Sequence, residues 1–182
     1  MAGFISTEVD RTNSLVTRFL QFARPLQLRL DSVDLSQLLD RAIAAAQREV
    51  PEIAIYKNYA PEIPPFPLDA ELMERVFYNL VLNAAQASPP GGTVTVKTRA
   101  AGRTAEIAVI DRGMGIDAKQ MKDIFNPFFT TKPQGVGLGL AIVAKIVDEH
   151  SGKIAVESEP GKGSIFCVSL PMDLAQIGRA HV

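Results

Sequence analysis

The sequence has 182 residues, 47% of them hydrophobic, and a formal net charge of −1, which together predict one compact domain with a proper core and a short appendage. The net charge is near neutral and the basic residues are scattered along the sequence, so no basic patch for nucleic acid is indicated and we expect no nucleic-acid partner. No apolar run has the length of a membrane span and no signal peptide opens the chain, which predicts no membrane contact here and a cytoplasmic location; an anchor elsewhere in a full-length protein stays open.

The first predicted element is a long amphipathic helix from Phe4 to Ala23, which Pro25 is expected to end. Its apolar side chains are spaced by four and three residues, as in the seam of a coiled coil: Ile5, Val9, Thr12, Val16, Phe19 and Ala23, widened by Leu15 and Phe22. A lone helix cannot bury such a stripe, so the seam needs either a partner helix or its own domain.

Residues 26–33 are predicted as a linker or short strand, and Asp34 or Ser36 as the cap of a helix running to about Glu49. Residues 53–59 alternate enough for a strand. A rigid loop is then predicted from a group of prolines: Pro61, Pro64, Pro65 and Pro67.

The next helix, which we expect Asp69 to cap, separates apolar from polar side chains. One row contains Leu72, Val76 and Leu80, and the other contains Arg75, Asn79, Asn83 and Gln86. Asparagine lowers helix stability by roughly half a kcal/mol relative to alanine, so two asparagines on one helix face call for an explanation. Their amide oxygens could hold a hydrated magnesium that bridges nucleotide phosphates. For the helix considered alone, a capping or packing role is the better explanation.

Asp111 ends a predicted strand and shares its face with Ile107 and Val109. A carboxylate at the end of a half-buried strand needs donors, and an exocyclic amine such as that of adenine would supply them. Gly113 and Gly115 then let the backbone turn with positive φ and approach a flat ligand. Alone, this pattern fits an ordinary turn equally well.

A second glycine cluster, Gly135, Gly137 and Gly139, precedes a helix predicted to begin near Leu138. Free N–H groups and the positive end of the dipole at a helix start suit phosphates. Lys132 could add a point charge to the same anion. No strand feeds directly into these glycines, which argues against a dinucleotide-binding fold.

The remaining segments complete an α+β pattern. Hairpins are predicted from 93–99 with 104–111 and from 153–158 with 163–170, and Asp117 opens a short helix between them. The aromatic residues after that helix are expected to be hinge and core anchors beside a short lid: Phe125, Phe128 and Phe129. Without a repeating βαβ unit, we expect a two-layer sandwich with a mostly antiparallel sheet and helices on one face.

Three residues of chemically versatile types are given other roles. Cys167, the single cysteine, excludes an internal disulfide and is predicted to be structural within a strand. His150 falls at the end of the glycine-led helix, where a cation or capping donor is favourable, and is also predicted to be structural. His181 lies in an aperiodic tail, 173–182, of the kind that expression fusions leave.

Taken in order, these motifs resemble the boxes of two-component sensor histidine kinases of the GHKL superfamily. The segments N-L-V-L-N-A, D-R-G-M-G, F-N-P-F-F-T-T-K and G-V-G-L-G-L are similar to the N, first glycine, F and second glycine boxes, and E-P-G-K-G-S to the final glycine box. The resemblance covers residues 34–171. It implies the Bergerat-type ATP-binding fold shared with type II topoisomerases, heat-shock chaperones of the ninety-kilodalton class and mismatch-repair ATPases.

The first helix then resembles the second helix of the dimerisation and phosphotransfer hairpin, which implies a homodimer in the full-length protein. The hairpin's first helix, with its phosphate-accepting histidine, has no counterpart here. We therefore expect half a hairpin at 1–24, a linker at 25–33, an ATP-binding catalytic domain at 34–172 and a tail at 173–182.

The implied activity is that of a protein-histidine kinase, which donates the γ-phosphoryl group of ATP to the missing histidine for relay to the receiver domain of a response regulator. By resemblance, Asp111 binds the adenine amine, and Asn83 ligates Mg²⁺ with support from Asn79. The phosphate tail is assigned to Lys132, Ser164 and the amides of Gly137, Leu138 and Gly139. Further implied ATP-binding residues are Gln86, Gly113, Gly115, Ile116, Thr131, Gly135, Val136 and Leu140.

Gln86 departs from a basic residue in many relatives and Asn126 from an acidic one, while N-A-A-Q-A and T-T-K-P resemble the nitrogen-regulation-like branch. One competing function is that of an ATP hydrolase of the topoisomerase, chaperone or mismatch-repair kind. Those relatives place a glutamate four residues before the metal-binding asparagine, where this chain has Asn79, an amide that cannot act as a base. A non-catalytic nucleotide-sensing module and a serine-directed kinase of mitochondrial type also compete with the histidine-kinase hypothesis.

Overall fold

The computed structural model describes residues 2–132 and 137–173. Along the chain the helices and strands are α1 Ala2–Ala23, β1 Asp31–Val33, α2 Leu35–Glu49, β2 Ala54–Asn58, β3 Phe66–Leu68, α3 Ala70–Ala87, β4 Thr93–Ala101, β5 Thr104–Asp111, α4 Ala118–Met121, α5 Gly139–Glu149, β6 Lys153–Glu159 and β7 Gly163–Pro171. In this part of the chain, no helix combines the length and apolarity that crossing a membrane requires. The predicted tail from 174 onward lies outside it.

Five strands form one sheet in the order β2-β4-β5-β7-β6, and β1 pairs with β3 in a separate two-stranded sheet. The pair β2–β4 is parallel, whereas β4–β5, β5–β7 and β6–β7 are antiparallel. Helix α3 packs against β4, β5 and β7, and α2 and α5 each contact α3. The predicted α+β sandwich, with a mostly antiparallel sheet and helices on one face, is confirmed.

The core lies between this sheet and the helices because the central strands alternate. In β5, Ala105, Ile107 and Val109 are fully buried, and the residues between them are half-buried. Helix α3 matches this surface with buried side chains at helical spacing, among them Val76 and Leu80 of the predicted apolar row. The buried face of the strand, with its period of two, therefore packs against the apolar stripe of the helix, with its period of 3.6, as the sequence pattern predicts.

The proline-rich segment is a loop up to residue 65, as predicted, but the prediction is wrong for its last residues, which form strand β3. Phe66–Leu68 pairs with β1 in the register Ser32 to Pro67. Proline has no N–H to donate, but an edge strand tolerates it where the ladder does not use that group. The side chains of Phe66 and Leu68 are buried, and this burial favours a strand over a free loop.

A buried junction fixes the start of α3. The Asp69 carboxylate caps the helix by accepting from the N–H of Leu72 at 3.1 Å, and its other oxygen accepts from the N–H of Arg29 at 2.9 Å. The Asp69 N–H donates to His150 Nε2 at 3.1 Å, and His150 Nδ1 donates to the Ile146 carbonyl at 2.8 Å. The predicted cap and the structural role of His150 are confirmed.

Of the two roles predicted for His150 at the end of its helix, a cation or a capping donor, the structure supports the capping donor. The side chain is 1% exposed, and burial lowers its pKa below the usual value of 6.5. Because Nε2 accepts from a backbone N–H, the proton of the neutral ring is on Nδ1. It therefore serves α5 as a neutral capping donor.

Helix α1 presents its predicted seam to solvent over most of its length. Val9 and Val16 of the seam are 51% and 50% exposed, so this part of the helix does not fold its seam back on the domain. Contact is made near the C-terminal end, where Lys145 of α5 donates to the Phe22 carbonyl and, at 2.6 Å, to that of Arg24. Because the apolar seam remains exposed, it still requires a partner helix to bury it.

The three aromatic residues of the F box do not behave alike. Phe125 meets Phe166 edge-on at 6.5 Å, and both Phe125 and Phe129 pack against the core, as predicted. Phe128 is 52% exposed and stacks on Phe19 of α1 at 5.7 Å, so its prediction as a core anchor is wrong. Its φ of 69° lies in the left-handed region, which is uncommon for a bulky residue.

Candidate nucleotide-binding site

Asp111 lies at the end of β5 and is 4% exposed. Its Oδ1 atom accepts from the N–H of Gly113 at 2.9 Å and from the N–H of Ser164, on the neighbouring strand, at 3.3 Å. Burial raises the pKa of this carboxyl group above its usual 3.8, and the two backbone donors lower it in part. The predicted inward-facing carboxylate is thus present, fixed by donors on two segments.

Ser158 supports this group and was not predicted from the sequence. Its Oγ atom accepts from the N–H of Ile116 at 2.8 Å and donates to the Gly163 carbonyl at 3.1 Å. Because a hydroxyl has one proton, the 2.8 Å contact between the two serine hydroxyls is donated by Ser164. The signal was available, since the predicted closing hairpin pairs Ser158 with Ser164 across its two strands.

The first glycine box is clamped between two elements. Gly115 has φ of +71°, as expected, and a Cβ atom there would lie 2.2 Å from the Glu159 carbonyl oxygen. Gly113 is not among the positive-φ glycines of the described residues, so that part of the expectation is wrong. Glycine is required at 113 because there is no room for a side chain. A Cβ atom would lie 2.2 Å from the carbonyl oxygen of Ala87, at the end of α3, and this oxygen accepts from the N–H of Met114.

A second polar group forms on α3. The Lys132 ammonium nitrogen lies 3.0 Å from Asn83 Oδ1 and also donates to Gln86 Oε1. Its backbone N–H donates to Thr130 Oγ1 at 3.1 Å, which fixes the turn that presents it. Lys132 is an exposed residue, but partial burial of its ammonium lowers the pKa of the group, and no ion pair involves it among the described residues. Two neutral amide oxygens therefore converge on one positive charge.

The start of α5 lies beside the same helix face. Leu138 is its N-cap and makes no side-chain capping bond. Gly137, with φ of +77°, accepts from the Phe128 N–H at 2.8 Å. A Cβ atom on Gly139 would lie 3.9 Å from Asn79 Oδ1, so the first turn of α5 directly neighbours the polar row of α3.

The predicted site residues thus fall into two groups of contacts. Around the strand end are Asp111, Gly113, Gly115, Ile116 and Ser164. On the helix face are Asn79, Asn83, Gln86, Lys132 and Gly139. The contacts of Ser164 join it to the carboxylate group, although the resemblance had assigned it to the phosphate tail. Gly135 and Val136 lie outside the described residues, Thr131 is exposed, and Leu140 is half-buried.

Two observations bear on a metal ion. Within 2–132 and 137–173, no cluster of three or more His, Cys, Asp or Glu residues could hold one. The amide oxygen of Asn83 already faces a cation, the Lys132 ammonium. These residues fit Mg²⁺ held by amide oxygen and ligand phosphate, because a hard cation with few protein ligands keeps water and phosphate oxygens in its shell.

Comparison with known proteins gives one family. Residues 68–174 match the family described as histidine kinase-, DNA gyrase B-, and HSP90-like ATPase. The chain is 36% identical over 178 residues to the sensor histidine kinase ZraS of Escherichia coli K12, covering 97% of this chain and 38% of that protein. It is 33% identical to sporulation kinase E of Bacillus subtilis, covering 92% of this chain and 23% of that protein. The chain therefore spans well under half the length of these curated relatives.

Solved structures agree with the sequence relatives. The mycobacterial sensor histidine kinase MprB superposes with a TM-score of 0.70 at 30% identity, covering 79% of this chain and 97% of that one. Full-length ShkA in complex with AMPPNP gives 0.80 at 28% identity over 89% of this chain and 36% of that one. Histidine kinase ThkA in complex with the response regulator protein TrrA gives 0.76 at 25% identity over 93% and 50%.

Proposed function

This chain belongs to the family of histidine kinase-, DNA gyrase B- and HSP90-like ATPases, and from that premise we propose that it is the ATP-binding catalytic domain of a two-component sensor histidine kinase. In this proposal it donates the γ-phosphoryl group of ATP to a histidine outside the chain. Relatives that this chain matches are themselves named sensor histidine kinases, which supports the kinase branch over the hydrolases.

One observation carries the proposal: the Lys132 ammonium lies on the amide oxygen of Asn83. This contact joins the segment before the second glycine box to the N box, although the two residues are 49 positions apart. Here a lysine cation lies beside an amide oxygen that suits a metal ion. Such a pair fits a triphosphate, because the charge of a triphosphate must be neutralised from several sides.

We assign the adenine end to the strand group. Asp111 is a buried carboxylate whose Oδ1 atom is used by two backbone donors, and an adenine amine would donate to the same carboxylate. Ser164 and Ser158 orient that carboxylate through the hydroxyl and backbone contacts of the β6–β7 hairpin. Ser164 is accordingly proposed as an adenine-side residue rather than a phosphate contact.

The phosphate end is assigned to the helix face. The amides of Leu138 and Gly139, with the positive end of the α5 dipole, suit the phosphate oxygens. Lys132 adds a point charge. When bound, Mg²⁺ would be held by Asn83, with Asn79 in support, and would neutralise charge on the phosphates.

The acceptor and the partner lie outside this chain. We propose that α1, with its exposed seam, packs on a helix that carries the acceptor histidine and mediates a homodimer of the full-length protein. We also propose that the phosphoryl group passes on to a response regulator. The ThkA complex with its response regulator supports this partner class.

The proposal is tested with a longer chain that carries the proposed acceptor helix. With radiolabelled ATP and Mg²⁺, we expect label on a histidine of that helix that is stable to base and lost in acid, while Asn83→Ala abolishes labelling. A matched control is Asn126→Ala, an exposed asparagine in the F box, which should retain labelling. Rapid release of phosphate without labelled protein would favour the hydrolase function.

A further inference from the structure

The Lys132 ammonium occupies the acceptor that the proposed metal needs. Its nitrogen is 3.0 Å from Asn83 Oδ1 and donates as well to Gln86 Oε1. Asn83 and Gln86 are three residues apart on α3, so their side chains lie side by side on one face. The lysine therefore fills the gap between two amide oxygens from a different segment of the chain.

This contact is suited to being exchanged. Both acceptors are neutral amides, and the described residues offer Lys132 no ion pair. A phosphate oxygen with a full negative charge is a better partner for an ammonium than an amide oxygen.

We propose that Lys132 is an internal competitor of the divalent cation for Asn83, held in place by Gln86 until a polyphosphate draws it away. Without nucleotide, the ammonium takes the place of the cation. The negative tail of a nucleotide attracts the ammonium, frees Asn83 and admits the metal at the same time. The inference rests on the proposed function and adds a regulatory role for Gln86, which then acts in the nucleotide-free state only.

The competition makes metal and nucleotide binding mutually dependent. A ligand that needs Asn83 free binds in proportion to the fraction of molecules in which Asn83 is free. If the ammonium holds Asn83 in about 90% of molecules, apparent affinity falls about tenfold, and weakening that hold restores it. Removing the Gln86 acceptor should therefore strengthen nucleotide binding. If Gln86 instead contacted a phosphate directly, its removal should weaken nucleotide binding.

The first measurement is calorimetric titration of the 182-residue chain with AMPPNP and Mg²⁺. We expect Gln86→Leu to bind about threefold to tenfold more tightly than wild type, following the freed fraction of Asn83. Lys132→Met, which loses the phosphate charge, should bind more weakly. In the Lys132→Met background, Gln86→Leu should have no further effect, because the group that Gln86 holds is gone.

The second measurement observes the lysine itself. In protein labelled at lysine Cε and Nζ, the Lys132 signal is identified by its loss in Lys132→Met. Without nucleotide, it should differ from the signal of Lys97, an exposed lysine of β4, and should move toward it in Gln86→Leu. Lys97→Met is the charge-matched control and should change neither the Lys132 signal nor AMPPNP affinity.

The outcomes separate this inference from the proposed function. Weaker AMPPNP binding by Gln86→Leu, or an unmoved Lys132 signal in that variant, would overturn the competition while leaving the nucleotide site intact. A wild-type chain that does not bind AMPPNP would overturn both. Tighter binding by Gln86→Leu that disappears in the Lys132→Met background would support the competition.

Discussion

At the scale of single residues, Asp111 combines burial with the task of accepting a hydrogen bond. The raised pKa means that the folded protein holds this proton more tightly than the unfolded chain does. Ionised Asp111 therefore costs folding free energy, a cost that develops as pH rises from the unfolded value of 3.8 through the folded pKa. We attribute its retention to ligand recognition rather than to stability.

This sets a prediction for pH. As pH falls through the raised pKa, Asp111 acquires a proton, becomes a poorer acceptor and should bind adenosine more weakly. Asp111→Asn should bind adenosine about tenfold to a hundredfold more weakly at neutral pH, the range for a hydrogen bond to a charged group, and should lose this pH dependence. Calorimetry across pH measures both. Equal pH profiles for wild type and variant would remove Asp111 from the adenine site. The folding control is a cooperative thermal unfolding transition of Asp111→Asn that is no lower than that of wild type.

His150 gives the second residue-scale prediction. Its folded pKa lies below the unfolded 6.5, so the unfolded chain takes up a proton first as pH falls. Its contribution to stability is therefore complete above pH 6.5 and declines as pH falls from 6.5 toward the folded pKa. His150→Leu should lower the free energy of unfolding by about 1–3 kcal/mol at pH 7.5, because it leaves the buried N–H of Asp69 without its acceptor.

Urea denaturation at pH 7.5 and at a lower pH measures both parts of this prediction. The difference between wild type and His150→Leu should shrink at the lower pH. His181→Leu makes the same chemical change at the other histidine of the sequence and should leave both values near wild type. A difference that does not depend on pH would show that His150 contributes packing only.

Residue-scale prediction from sequence succeeds where periodicity suffices. The inward direction of Asp111 follows from alternation along β5, and the structure confirms it. The partners of His150 and Lys132 could not be read in this way, because they lie 81 positions away in one case and 46 and 49 in the other. Only the packing of α3 against its neighbours brings such residues together.

At the scale of elements, α3 is positioned by one capping residue. Asp69 uses its two oxygens to hold the first turn of α3 and the N–H of Arg29, and its own N–H is bonded to His150. Asp69→Ala should lower the free energy of unfolding by about 1–3 kcal/mol, because it removes the cap of α3 and the acceptor of the part-buried Arg29 N–H. Asp34→Ala, which removes the exposed cap of α2 and a single 3.3 Å bond, should cost about 1 kcal/mol or less. Denaturant melts compare the two, and equal losses would contradict a special role for Asp69.

Local signals predicted most elements but not β3. Caps, turns and periodicity indicated α2, α3, α5 and both hairpins, and the structure contains all of them. Four prolines between residues 61 and 67 outweighed the apolar pair Phe66 and Leu68 in the prediction. Long-range pairing with β1 overrides local propensity there, since the pairing buries both side chains.

At the scale of the whole molecule, the N-terminal helix meets the parts that form the candidate site. Lys145, on the helix that begins at the second glycine box, donates to the carbonyls that end α1. Phe19 stacks on Phe128, whose N–H is bonded to Gly137. The seam pattern predicted a helix with an apolar stripe, but this docking could not be read from one helix, because it depends on where the domain places Phe128 and Lys145.

The central claim is that this chain binds ATP through Asp111 and Asn83 with a divalent cation. The most direct test is calorimetric titration with AMPPNP, with Mg²⁺ or with EDTA, and with GMPPNP in parallel. We predict binding that is selective for the adenine nucleotide and is strengthened by Mg²⁺ in wild type but not in Asn83→Ala. Absence of binding, or equal binding of both nucleotides with and without Mg²⁺, would contradict the site described for this chain.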